Sequence, residues 1–163
     1  MSYKQNDFVL FANPDKKRQV GKITTIQKDS FFICNVYARP EAVLGQRQSY
    51  HSHFELIRTE ETAKEFLSNV IRKVEVLRLQ EFKARFENPV KDILGDDSQL
   101  YSKLENFAEL FPSDFYFFRQ KYANHQLLPE LKPVCVCQKV FNADEEYSYC
   151  PKCKEPFHPV CIR

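Results

Sequence analysis

Tryptophan is missing from this chain, methionine occurs once, and Gly21, Gly45 and Gly95 are its only glycines. Three isolated glycines cannot build the Gly-rich turn that lets backbone N–H groups cradle a phosphate, so P-loop and dinucleotide fingerprints are excluded. Apolar runs are short, none near the ~20 residues that a membrane-crossing helix needs. The opening MSYKQNDF is polar, and no secretory signal is expected from it. A strong charge of either sign is lacking too: 24 Lys and Arg face 22 Asp and Glu, a net charge of +2. That balance is well short of a dedicated nucleic-acid binder. No nucleophile, base and orienting acid fall into a catalytic pattern, and the reading is of a protein that is not an enzyme.

What the chain does have is aromatic residues and, near its end, cysteines. Fifteen Phe and eight Tyr make a β-leaning composition. At 163 residues the chain can bury one sizeable core and a small metal-stapled module. Five of the six cysteines lie between Cys135 and Arg163, as Cys135-x-Cys137, Cys150-x-x-Cys153 and His158-x-x-Cys161. Paired Cys and His ligands suit a tetrahedral, borderline-soft zinc ion, because one tight turn presents two ligands to one metal. A chance cluster of thiols rarely forms three such pairs. Disulfides fit poorly, since Cys135 and Cys137 sit too close to bridge and nothing marks the chain as secreted. Reduced, zinc-bound thiols suit a cytosolic or nuclear protein.

The order Cys-x-Cys, twelve residues, Cys-x-x-Cys, four residues, His-x-x-Cys, with Phe157 before the histidine, resembles the first six ligands of a PHD finger. The resemblance implies cross-bracing, with Cys135, Cys137, His158 and Cys161 closing one complete zinc site and Cys150 and Cys153 forming half of a second. The family's fourth pair would lie further on, so the sequence reads as ending inside this module. By the same resemblance Phe141 and Tyr147 fall at cage positions, Asp144 and Glu145 where acidic residues meet a basic tail, and Tyr147 to Tyr149 on the edge strand that pairs with a peptide. The family's cage tryptophan is replaced by Pro156. A RING-like ubiquitin ligase is the competing cross-braced family, but a RING opens Cys-x-x-Cys and places its histidine among the middle ligands.

A second resemblance covers the rest. Tyr37-Ala-Arg-Pro-Glu41, then Gly45-Gln-Arg47, Tyr50-His51 and Glu55-Leu56, looks like the middle of a BAH domain. Tyr101-Ser-Lys-Leu-Glu-Asn106 and the aromatic strand Phe115-Tyr-Phe-Phe-Arg119 look like its later part. The order BAH then PHD is similar to small plant chromatin readers. It implies an α+β, mainly β fold: a BAH-like β-barrel core with peripheral helices over 3–122, a linker over 123–134 stiffened by Pro129 and Pro133, and a cross-braced finger over 135–163. Methyl-lysine-reading relatives place cage aromatics at positions matching Gln19, Val36 and Ala38, and Tyr37 is expected to face the other way.

Local signals fill in the elements. An apolar run from Phe8 to Phe11 stops at Asn13-Pro14-Asp15, and Val20 to Gln27 and Phe31 to Ala38 read as a hairpin turning at Lys28-Asp29-Ser30. Lys16, Lys17 and Arg18 read as a solvated loop, with DNA contact at most secondary. Thr62-x-x-Glu65 resembles a capping box, and Phe66, Leu67, Val70, Ile71 and Val74 recur at helical spacing, predicting a helix that gives way to a strand near 73–79. Residues 85–97 read as an inserted loop, and a helix is expected from Ser98, stopped by Pro112. His51 and His53 read as surface or core histidines, and Cys34 as a buried small hydrophobe. The function this implies is a nuclear, chromatin-binding adaptor that meets a histone tail or nucleosome, or chromatin-complex proteins, through two modules with degenerate cages. The alternative is a structural subunit that packs only on partner proteins.

Overall fold

A computed structural model describes residues 2–15, 17–95, 111–133, 137–145 and 156–159, and the backbone of 148–149. Five strands come early: β1 (Phe8–Ala12), β2 (Arg18–Gln27), β3 (Phe31–Ala38), β4 (Glu55–Phe66) and β5 (Val70–Arg78). A helix α1 (Pro40–Leu44) precedes β4, and α2 (Leu79–Arg85) and α3 (Pro89–Leu94) follow β5. Then come β6 (Phe115–Ala123) and β7 (Gln126–Leu128), with β8 (Ser148–Tyr149) and β9 (Pro156–Phe157) as a separate small pair.

The sheet runs β4-β3-β2-β1-β5-β6-β7, and a further β4–β6 pairing closes it into a barrel. β6 makes the closure because it lies parallel to both β4 and β5. Closure gives the first half of β4 a second partner, so that part of the sheet carries no exposed backbone edge. The expected hairpin is present: Ser30 N–H donates to Gln27 O at 3.0 Å, with Lys28 and Asp29 at φ 50° and 55°. Those paired positive angles match the right-handed twist of the flanking strands.

Two buried clusters fill the barrel and its flank. The larger joins Leu10, Tyr37, Phe54, Leu56, Phe82, Tyr116 and Phe117, and the smaller joins Val9, Phe11, Ile23, Phe32 and Cys34. Gly21 is required where these strands cross, since a Cβ there would lie 2.4 Å from Cys34 Sγ. Cys34 is fully buried, and burial pushes its thiol up to about 11, as expected for a packed apolar residue.

Three expectations about elements change. Residues 62–74 are not helical. They are the outer halves of β4 and β5, joined by a short 3-10 turn (Leu67–Asn69), with Phe31, Ile33 and Asn35 on β3 opposite Phe66, Lys64 and Thr62. Pairing with β3 satisfies these backbone groups, and the β-branched and aromatic residues fit the pleat, so the helical spacing is overridden. Phe66 and Ile71 are left exposed at 51% and 43%, whereas one helical face would have buried both. The stretch read as an inserted loop contains α3, started by Pro89 and ended at Gly95 with φ +86°. Its Leu94 and Pro89 are buried against the core. The stretch read as a linker begins as β7, paired through Tyr122 and Leu127, and Gln120 Nε2 donates to Pro129 O at 3.0 Å. The helix expected from Ser98 lies outside the described residues up to Phe111.

Candidate functional site

A groove of about 400 Å³ opens where β2 starts and β3 ends. Val36, Ala38 and Gln19 line it with Ala42 and Glu41 of α1, exposed Lys17 and Arg18, and Phe111. Tyr37 also borders the groove, but it is 2% exposed and its ring is engaged edge-on by Phe8 and Phe118 at 5.2 and 5.4 Å. Phe111 is held in place by Arg72, whose Nη2 donates to its carbonyl at 2.5 Å. The Phe111 ring already carries a cation, because the Arg39 guanidinium lies 4.4 Å from its centroid and 5.3 Å from that of Tyr116. Arg39 is buried and donates to the His53 carbonyl; burial lowers it to about 10, still charged at neutral pH. The groove thus has an apolar floor, a basic rim and no free aromatic face among the three positions Gln19, Val36 and Ala38.

Beside the barrel, residues 141–145 are seated on the loop before β4. Arg119 of β6 is the hub. Its Nε and Nη2 meet the Glu55 carboxylate at 2.6 and 3.1 Å, Nη2 also donates to Tyr50 O, and Nη1 donates to Phe141 O at 2.5 Å. Burial pushes the Glu55 carboxyl above its ordinary range, against the pull of Arg119 and the Ser52 N–H. Asn142 Nδ2 donates to Ser49 O at 2.9 Å, and Lys83 Nζ donates to Ala143 O at 3.0 Å. Asp144 accepts from Ser52 Oγ at 2.5 Å and from the His53 N–H at 2.8 Å, and its Oδ2 lies 2.8 Å from His53 Nδ1. The carboxylate is an anchor on which three neighbouring polar groups converge.

Further on, His158 is 8% exposed and uses both ring nitrogens: Nδ1 lies 3.4 Å from Cys137 Sγ, and Nε2 lies 2.8 Å from Glu145 Oε2. Two ligands on one tetrahedral zinc, at Zn–S and Zn–N lengths of ~2.3 and ~2.0 Å, stand about 3.5 Å apart. The Cys137–His158 pair fits that spacing. Among the described residues no three His, Cys, Asp or Glu side chains converge as a metal cage.

The family model described as the BAH domain matches residues 1–126. The chain belongs to the BAH domain family. The chromatin remodeling protein EBS of Arabidopsis thaliana is 28% identical over 164 residues, covering 96% of this chain and 61% of that protein. This chain therefore spans about three-fifths of the length of that relative. The crystal structure of the yeast Rsc2 BAH domain is similar over 51% of this chain and 38% of that one, with 23% identity and a TM-score of 0.39.

Against the BAH module, the positions singled out in the sequence take different places. Phe141, expected at a cage position, is 6% exposed and belongs to the larger core cluster, so its ring faces the module. Asp144, expected to face a basic tail, spends its oxygens on Ser52 and His53. Glu145 lies against His158. Cys137 and His158 come together, while Cys135, Cys150, Cys153, Cys161 and Tyr147, and the Tyr149 side chain, lie outside the described residues. β8 pairs antiparallel with β9, Tyr149 opposite Pro156. His51 and His53 sit in the loop before β4 and diverge: His51 is buried and His53 points to Asp144. Sequence reading missed Arg119 as a hub. The only signal was a basic residue closing an aromatic strand, and its partners at Tyr50 and Glu55 are more than 60 positions away.

Proposed function

We propose that this chain is a nuclear chromatin-binding adaptor, in which the BAH module contacts a nucleosome or a chromatin-complex protein and a PHD-type zinc module is seated on it. The observation that carries this reading is the alignment with a chromatin remodeling protein over 96% of the chain, which runs past the BAH match and into the cysteine segment. Zinc is proposed to be held by Cys135, Cys137, His158 and Cys161, with Cys150 and Cys153 as half of a second site. The spacing of Cys137 and His158 Nδ1 supports the first assignment.

Neither module is proposed to prefer methylated lysine. A methylammonium is held by ring faces, and such contacts contribute about 2 kcal/mol or more when desolvated. Gln19, Val36 and Ala38 offer no ring in the groove, and Phe111 is already stacked by Arg39. In the zinc module Pro156 stands at the tryptophan position, and Phe141 and Asp144 are engaged by the BAH module. That engagement also favours the second reading, a structural subunit that binds protein partners only.

The experiment compares binding of the full chain to nucleosomes and to unmodified and trimethylated histone-tail peptides, alongside elemental analysis. The expected result is nucleosome or tail binding that methylation changes by less than about threefold, under 1 kcal/mol, with about one zinc per chain. Strong methyl-selective binding overturns the degenerate-cage reading. Absence of nucleosome and tail binding leaves the structural-subunit reading in its place.

A further inference from the structure

We propose that Glu145 is the outer-sphere carboxylate of the metal ligand His158, and that its turn carries metal occupancy into the BAH loop at 49–53. The proposal rests on the zinc reading above. It starts from the His158 ring, which is buried between a thiol and a carboxylate. With Glu145 accepting at Nε2, the proton sits on that nitrogen, and the Nδ1 lone pair faces Cys137. This is the tautomer a metal needs, and a carboxylate behind the ring fixes its plane and strengthens its donation. Glu145 is 47% exposed at its side chain, so little packing depends on it.

The connection onward is continuous. Glu145 N–H donates to Asn142 O at 3.1 Å, closing a turn in which Asp144 N–H donates to Asn142 Oδ1 at 2.9 Å. Asn142 reaches Ser49 O, and Asp144 holds Ser52 and His53. A dication at Nδ1 draws electron density from the ring, makes Nε2–H a stronger donor, and tightens its bond to Glu145. Metal binding should therefore steady the turn at 142–145 and, through it, the loop before β4. Losing the metal should loosen both.

Zinc affinity of the full chain is measured by competition with a chromophoric chelator for the wild type, Glu145→Ala and Glu145→Gln. Glu145→Ala should weaken zinc by about 10- to 100-fold, the usual cost of losing such a partner. Glu145→Gln keeps an accepting oxygen and should recover most of that affinity. Amide hydrogen exchange is the second readout: removing zinc from the wild type should speed exchange at Ser52 and His53 several-fold, with β2 and β3 unchanged. Wild-type protein that binds no zinc overturns the zinc reading and this proposal with it. Zinc bound as tightly by Glu145→Ala as by the wild type overturns the positioning role alone. Exchange at Ser52 and His53 indifferent to zinc overturns the coupling.

Discussion

A buried histidine shows how much one residue's surroundings decide. His51 is 3% exposed, and its Nδ1 accepts from the Gln48 N–H at 2.9 Å, so the neutral ring carries its proton on Nε2. Burial first, then the neighbouring Arg119 and Arg47 charges, push it from 6.5 down to about 4. Protonation in place would also turn an acceptor into a donor facing another donor. The folded value lies below the unfolded one, so the unfolded chain binds more protons between those two values. Stability should therefore fall as pH drops through that window, by about 2 kcal/mol between pH 7 and 5. Urea midpoints of the wild type and His51→Asn at both pH values check this. The wild type should lose more than the variant on acidification, and parallel losses would contradict it.

At the scale of elements, the outer arm of β4 and β5 is where local pattern and final structure part. Phe66, Leu67, Val70, Ile71 and Val74 repeat at helical spacing, yet Phe66 pairs with β3 and Val70 and Val74 pair with β1, with Leu67 opening the turn between the strands. The arm's tip is tied by Leu67 N–H donating to Ser30 O at 2.8 Å. Phe31 and Phe66 face each other across β3 and β4 with ring centroids 4.4 Å apart. Such a cross-strand aromatic pair should couple by about 0.5–1 kcal/mol. A double-mutant cycle with Phe31→Ala and Phe66→Ala, followed by urea unfolding, measures it. A helix over 62–71 would separate the two rings, and a coupling energy of zero would then be found.

For the molecule as a whole, the seat between the barrel and residues 141–145 rests on Arg119. Its side chain is 8% exposed and its partner Glu55 is fully buried, so the pair has left water and relies on a complete set of hydrogen bonds. Arg119→Ala strands a buried carboxylate and frees the Tyr50 and Phe141 carbonyls. The expected cost is about 3–5 kcal/mol, the range found when one partner of a buried pair is removed. Arg119→Lys should fall between, because one ammonium cannot reproduce the fork that reaches Glu55, Tyr50 and Phe141 together. Denaturant unfolding followed by tryptophan-free tyrosine fluorescence or circular dichroism reads both variants. A loss under about 1 kcal/mol for Arg119→Ala would show that the seat does not depend on this pair.

By itself the sequence determined what rests on short range. The turn at Lys28 and Asp29, the apolar run of β1, the strands β2 and β3 that flank the turn, the buried character of Cys34 and the aromatic strand of β6 were all legible, because turn chemistry and strand composition act between near neighbours. The motif around Arg39, Pro40 and Glu41 pointed to the BAH family for the same reason, as a local constellation. Tertiary structure alone decided the rest. Helix-like spacing over 62–74 became strands once β3 and β1 supplied backbone partners, since hydrogen-bond satisfaction outweighs propensities of a few tenths of a kcal/mol per residue. Phe141 and Asp144 carry the residue types of a peptide-binding loop, but their surroundings come from Ser49, Ser52, His53 and Arg119, more than 20 positions away at the nearest and over 90 at the farthest. Burial and charge pairing are properties of neighbours in space, and for these side chains no neighbour in sequence foretells them.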